Sequence, residues 1–590
     1  MTTPPTRIRP PGPQDHWQRL EVETPEQVVL DYELAGFGSR ILAALGDFAI
    51  LASVTVLLML AAQYLAGQSI WGAAVAWIAT VAISWGYFAF FEGFYRGQTP
   101  GKKWIGIRVI RDTGHPIGLG DAALRNLVRA ADAMPPPFII GLLMIALHPK
   151  AKRLGDLVAG TVVVRDRPAE AWTRPRPSQA GVAAAADGGV PELTEPEFKV
   201  LEEFLKRAPG LATEVRARFA DRLVGRFATR IPLGQTGPEA LRTLFVEELA
   251  RRQGQFGSRH STGGPAERFV EQKRDRWAAF QTLATTASRQ GLDRFTPDQL
   301  LDFSTRYREA AADLARARTY GVAGGAQAQL ERAVGAGHNA LYRREAATGK
   351  RLGRFALVDC PAAVVEARKT VALAFVVFAA PAALGYGLLR DRPEIAAEVL
   401  PQVMLDRATA GAGRQSGGQG YFEAPPGERP LVAASIIANN VRVAFSCFAG
   451  GVFVGVGSLV ILAANGLSIG AASGHFANQG LFGYLWTFIA GHGLLELFAI
   501  WVSGAAGFQL GLAIIAPGRQ PRTEALVLAG RRAIRLVGFA VALLLVAGLI
   551  EGLISASGVA PAAKIAVSAG SAALLVLYLA TGARLASATR

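Results

Sequence analysis

Residues 41–65, ILAALGDFAILASVTVLLMLAAQYL, contain one charged side chain, Asp47. A helix rises about 1.5 Å per residue, so ~20 apolar residues cross a ~30 Å hydrocarbon slab. The stretch therefore reads as a transmembrane helix. The pattern returns at 71–91 and then, after a long polar interval, at 371–389, 431–464, 481–516, 536–550 and 565–580. These runs predict an all-α polytopic membrane protein, with two transmembrane helix bundles separated by a cytoplasmic α-helical insert.

The charges agree with that reading. Charged residues make up 18% of the 590-residue chain, against about 25% in soluble domains. The net charge of +16 raises nucleic acid as a partner, but the basic residues cluster beside the apolar runs. Arg96, Lys102, Lys103, Arg108, Arg111, Arg125 and Arg129 follow the second run, Lys150, Lys152 and Arg153 come later, and Arg519, Arg522, Arg531, Arg532 and Arg535 precede the penultimate one. Short juxtamembrane clusters of this kind mark cytoplasmic loops facing anionic lipid, so no nucleic-acid partner is expected. Two cysteines, Cys360 and Cys447, form no disulfide framework. The polar, Pro-rich start has no apolar stretch before residue 41, so the first run is expected to target the chain in place of a cleaved signal peptide.

Composition divides the chain into a tail (1–35) with a short strand near Gln27–Tyr32, a first membrane domain (36–167), a Pro/Ala/Gly-rich linker (168–191), a cytoplasmic helical region (192–367) and a second membrane domain (368–590). Residues 104–111 look like a strand ending in a turn at Asp112–Gly114. Pro135, Pro136 and Pro137 interrupt the apolar segment 122–147, and basic residues flank both its ends. A hairpin that dips in and returns fits better than one crossing. Between 431 and 517 three crossings are favoured, with breaks near Gly450–Gly451 and Asn478–Gly480; one crossing plus re-entrant pieces is the alternative. In the insert, Phe269, Trp277, Phe280 and Ala284, then Leu300, Phe303, Tyr307, Ala311 and Leu314, recur at near-helical spacing. They read as a bundle core, or as a stripe that receives a partner helix.

Two motif matches carry no chemistry. Gly466-Leu467-Ser468-Ile469-Gly470 fits a nucleophile elbow but lies in an apolar membrane run, and Gly101-Lys102-Lys103 lacks the spacing of a phosphate loop. Gly451/Gly455, Gly466/Gly470/Gly474 and Gly507/Gly511 instead follow the four-residue spacing that lets helix backbones approach in lipid. They predict a compact bundle or self-association. Polar residues inside the runs are costly, and here they are Asp47, Asn439, Asn440, Arg442, Asn465, His492, Glu496 and Glu551. Asp47 requires a partner such as Arg40. His492 and Glu496, four apart, read as a structural lock touching Asn439 or Asn440, as an ion- or proton-handling site, or as part of a metal centre. The last is disfavoured because zinc catalysis wants three protein ligands plus an open position and no HExxH accompanies the pair; His475 or Cys447 could add a ligand, but no spacing argues for either. No catalytic residue, metal or cofactor is expected.

Gly36-Phe37-Gly38-Ser39-Arg40, Asp47, Gly97-Gln98-Thr99-Pro100-Gly101-Lys102, Leu124-Arg125-Asn126 and Arg153 to Thr161 resemble an RDD domain. That family is named for one arginine and two aspartates, which implies Arg40, Asp47 and Asp156 as the signature, with Asp132 an alternative for the second aspartate. Tyr307 with Ala311 to Ala315, Ile437 to Asn440, Asn465-Gly466, His492-Gly493 with Glu496, and Pro517 to Arg519 resemble the stage II sporulation protein M (SpoIIM) family from about residue 265 onward. The basic loops and the count of spans put both termini in the cytoplasm, and the resemblances imply a bacterial inner-membrane protein with MoxR-type ATPase or von Willebrand-type partners. Two functions are open at this point. One is a non-enzymatic scaffold, and the other a transporter or channel component moving ions or a small solute.

Overall fold

The structure is a computed structural model that describes residues 7–9, 19–24, 29–66, 70–132, 139–166, 192–207, 213–228, 265–292, 295–322, 325–341, 353–419 and 429–588, with parts of 231–248. The Pro135–Pro137 tip, the linker and most of the first 18 residues lie outside them. The helices in chain order are α1 Phe37–Ala66, α2 Ile70–Phe94, α3 Pro100–Ile105, α4 Leu119–Leu127, α5 Arg129–Asp132, α6 Ile139–Leu147, α7 Leu154–Ala159, α8 Glu195–Arg207, α9 Thr213–Ala228, α10 Pro265–Gln290, α11 Pro297–Thr319 and α12 Gly325–Leu341. They continue as α13 Cys360–Glu366, α14 Arg368–Asp391, α15 Gln402–Ser416, α16 Arg429–Ala449, α17 Val456–Asn478, α18 Phe482–Ala490, α19 Gly493–Ile515, α20 Arg522–Ile550 and α21 Pro561–Ala588.

Among the described residues 8 helices are long and apolar enough to cross a membrane, namely α1, α2, α14, α16, α17, α19, α20 and α21. This is an integral membrane protein. Three of these helices lie between 431 and 517, as expected, and the chain breaks at 450–455 and again after Asn478. The run 481–516 is less continuous than its hydropathy suggests, because α18 ends at Ala490 and α19 starts afresh at Gly493. The 122–147 segment is broken as expected: α5 and α6 pack on each other, and Gly141 sits against Asp132. With 9 residues, α6 is too short to cross alone.

Two small sheets accompany the helices. β1 (Arg7–Arg9), β2 (Arg19–Glu23) and β3 (Val29–Glu33) form an antiparallel ribbon, while β4 (Ile107–Arg111) pairs with β5 (Thr161–Arg165). The segment read as a tail with one strand is thus part of a folded layer. Leu20, Val22 and Leu34 bury against Ile110, Val162 and Val164, because alternate residues of a strand share one face.

The chain divides into two compact units, 1–167 with 338–590, and 168–337. In the first, one hydrophobic core contains Leu124, Val128 and Val158 together with Phe445, Phe448, Leu495, Leu536 and Leu544. Both membrane domains therefore contribute to it. Trp85 of α2 meets Phe445 of α16 edge-on at 4.8 Å, and a Cβ added at Gly530 of α20 would press on Leu124 and Val158 at 2.8 Å.

Glycines set the closest crossings. Gly466, Gly470 and Gly474 of α17 rest on the backbone carbonyls of Phe378, Ala382 and Tyr386 of α14, where no Cβ fits. The Gly451/Gly455 pair is a correction: it lies in the break between α16 and α17, not on a helix face. Val454 (φ 58°) and Gly455 (φ 83°) turn the chain there in the left-handed region, which glycine adopts without steric cost. Gly451 then packs backbone to backbone on Gly507 of α19, and Gly511 on Gly455.

The second unit is helical. α10 and α11 bury Trp277, Phe280, Ala284, Phe303, Tyr307, Ala311 and Leu314, while Leu300 is exposed. Trp277 Nε1 donates to Asp313 at 3.0 Å. Apart from Leu300 and the half-buried Phe269, the apolar stripes pack inside the unit, which favours the bundle-core reading over a stripe left open for a partner helix.

Candidate functional site

Two buried polar clusters are built into the membrane unit. In the first, Asp156 sits in the first turn of α7, where its carboxylate accepts from the Arg153 backbone N–H at 3.2 Å. Arg40 of α1 donates to it at 2.8 Å, as does Arg125 of α4. Arg125 also reaches Glu92, near the end of α2, at 3.2 Å. Glu92 further accepts from Asn126 at 2.9 Å and pairs with Lys102. Arg153 donates to Asn126 at 3.2 Å and approaches Asp132 at 3.7 Å. Asp132 in turn accepts from the Leu154 backbone at 3.0 Å. Arg129 stacks on Phe88 with 3.5 Å to the ring centroid.

Glu92 and Asp156 are 0% exposed and Arg125 2%. At that depth an ionic group persists only if it is paired and hydrogen-bonded. Burial pushes the Asp156 carboxyl up, but the guanidinium groups of Arg125, Arg40 and Arg153 outweigh it and hold it well below the usual range. Burial draws the Lys102 ammonium down to about 8, against the pull of Glu92.

Asp47 does not pair with Arg40. Its carboxylate accepts from Tyr87 Oη at 3.0 Å, Thr99 Oγ1 at 2.5 Å and the Gly101 backbone at 2.8 Å. The physical reason is distance, since seven helical residues span about 10 Å along the axis, beyond ion-pair reach. The Gly97–Lys102 motif now has a local explanation. Thr99 caps α3, Pro100 occupies its first position, and a Cβ on Gly101 would collide with the Asp47 carboxyl at 2.8 Å.

The second cluster lies where α19 begins and α20 ends, the end of this helix pair remote from the Arg519–Arg535 segment. His492 caps α19 with non-helical backbone (φ −125°). Its carbonyl still accepts from the Glu496 backbone N–H at 3.3 Å, so the two stand one turn apart as expected, but their side chains approach only to 3.9 Å, too long for a hydrogen bond. His492 Nδ1 lies 2.9 Å from Ser555 Oγ, and Nε2 lies 3.6 Å from Glu551. Asn440 donates to Glu496 at 2.5 Å, as the lock reading expects. Asn439 is exposed and touches the cluster through Asn440, to whose Oδ1 it donates at 3.4 Å, whereas Asn465 donates to Ile461 of its own helix at 2.8 Å. Arg442 is also exposed. The π-helical turn Glu551–Ser555 carries two of the contacting residues, and such bulges are frequent at functional sites.

Residues 34–160 match the RDD family and residues 374–556 match Stage II sporulation protein M. The chain joins an RDD domain to a SpoIIM domain. Residues 267–343 match a domain of unknown function, in the stretch where SpoIIM resemblance was expected to begin. No curated protein and no solved structure gives a match. The RDD domain thus holds the first cluster and the SpoIIM domain holds most of the second, Lys564 lying just beyond the matched residues.

Glu92, Ser555 and Lys564 were missed in the sequence. Glu92 gave one signal, an acidic residue immediately after the 71–91 run. Lys564 Nζ, which donates to the Ser555 carbonyl at 2.9 Å, and Ser555 gave none.

Proposed function

We propose that this is a non-enzymatic scaffold of the bacterial inner membrane, with both termini cytoplasmic and basic loops on anionic lipid. In this reading the membrane unit is a rigid platform, and the helical unit is held on the cytoplasmic side for partners of the MoxR-type ATPase or von Willebrand-type class that the resemblance implies. The supporting observation is the core shared by the RDD and SpoIIM domains. Alternating-access transport generally rocks one packed body against another, whereas here the two domains interlock through side chains of one core. The RDD carboxylates Glu92 and Asp156 point the same way, each held by at least two cationic side chains, because a transport path keeps polar groups available to its cargo.

The test is flux. Purified full-length protein in proteoliposomes is expected to pass H⁺, Na⁺ and K⁺ no faster than empty vesicles under imposed gradients. A gradient-driven flux that Glu496→Gln abolishes would replace the scaffold with the transporter.

A further inference from the structure

We propose that His492, Glu496 and Glu551 bind a divalent first-row transition cation, zinc above all. One ligand atom from each of the three lies within 4.8 Å of the others. The third ligand that the sequence did not supply is Glu551, brought to the pair by the π-helical turn ending α20. Donors held by a single zinc at roughly 2.0–2.2 Å stand about 3.3–3.6 Å apart in a tetrahedron. The His492 Nε2 approaches of 3.6 and 3.9 Å are too long for hydrogen bonds and close to that edge length.

A second observation is independent of the cluster's composition. Glu551 is 6% exposed, and its Oε2 accepts no hydrogen bond among the described residues. Its carboxyl faces that of Glu496. Two facing buried carboxyls must share either a proton, as in a hydrogen bond between them, or a cation. Lys564 Nζ lies beside the cluster, where it donates to the Ser555 carbonyl at 2.9 Å.

The surroundings are those of a metal site. A ligating histidine commonly donates its other ring N–H to a fixed acceptor, and ligating carboxylates are themselves hydrogen-bonded. His492 Nδ1 on Ser555 Oγ and Asn440 Nδ2 on Glu496 Oε1 fill those positions. With Nδ1 protonated, the Nε2 lone pair faces the carboxylates. One nitrogen and two carboxylate oxygens suit zinc and its neighbours better than magnesium or calcium, which take all-oxygen shells. The ion would pin the start of α19 to the end of α20.

The experiment is metal analysis of the full-length protein in detergent, after chelation and reloading with zinc. The expected result is one tightly held zinc per chain, a raised melting temperature on zinc addition, and no such rise with magnesium. Glu551→Gln should reduce bound zinc to background. Asn440→Ala, which removes only the support of Glu496, should weaken binding about 10–100-fold. Should Glu551→Gln fail to fold, cobalt added to the wild-type protein gives the answer, because a tetrahedral site produces an intense visible absorption. No retained zinc, an equal response to magnesium, zinc bound equally by Glu551→Gln, or a colourless cobalt form would each overturn the proposal and leave a shared proton as the group between the carboxyls. None of these outcomes bears on flux, so this site and the scaffold stand or fall separately.

Discussion

Arg125→Leu is expected to destabilise the membrane unit strongly. Arg125 bridges Glu92 at 3.2 Å and Asp156 at 2.8 Å while itself 2% exposed. Leucine keeps much of the volume but strands part of the charge on two carboxylates that are 0% exposed. Breaking a buried ion pair by removing one partner costs about 3–5 kcal/mol. Lys102 and Asn126 still hold Glu92, and Arg40 still holds Asp156, which sets the loss within that range. Arg125→Lys should fall between leucine and wild type, because one ammonium lacks the fork that reaches both carboxylates. Detergent thermal melting with size-exclusion profiles reads the effect. A leucine variant that melts with wild type would mean that the network contributes nothing to stability.

Gly470→Leu should be as damaging by a different route. At position 470 a Cβ overlaps the Ala382 carbonyl, which is backbone and cannot turn aside. Overpacking typically costs 1–3 kcal/mol, occasionally more. Here α17 must lift from α14, so the neighbouring contacts at Gly466 and Gly474 loosen as well, and the effect belongs at or above the upper end. Gly387→Leu is the control, because no atom lies within 4 Å of a Cβ there. Loss of the monodisperse peak for Gly470→Leu with retention for Gly387→Leu is the expected pattern. Equal behaviour of the two would show that the seam tolerates separation.

The parts legible in the sequence are those with local periodicity. Apolar runs gave the crossings, because hydrocarbon thickness is a length that composition must match. The Gly466/Gly470/Gly474 seam was legible because spacing by four keeps residues on one helix face. Gly451/Gly455 do meet the backbone of Gly507 and Gly511, but from the break after α16 and not from a helix face, because left-handed backbone leaves no periodic trace. Pairings were the hardest. Arg40 finds Asp156, 116 residues away, and Asp47 finds Thr99, 52 residues away; such partners are chosen by how helices stack, which no spacing encodes. Glu551 was legible as a costly intramembrane acid but not as a neighbour of His492. The insert's apolar stripes were correctly placed on helices, while their use as an internal core needed the packing of α10 on α11.

A rigid platform requires the RDD and SpoIIM domains to form one membrane body, and cutting the chain between them tests this most directly. Two fragments divided within 168–191, each with its own affinity tag, should be expressed together and purified in mild detergent through the first tag alone. Equimolar recovery of the second fragment, abolished by Gly530→Leu at the Leu124 and Val158 contact, is the predicted result. Fragments that separate cleanly, each folded, would contradict the shared core and with it the platform.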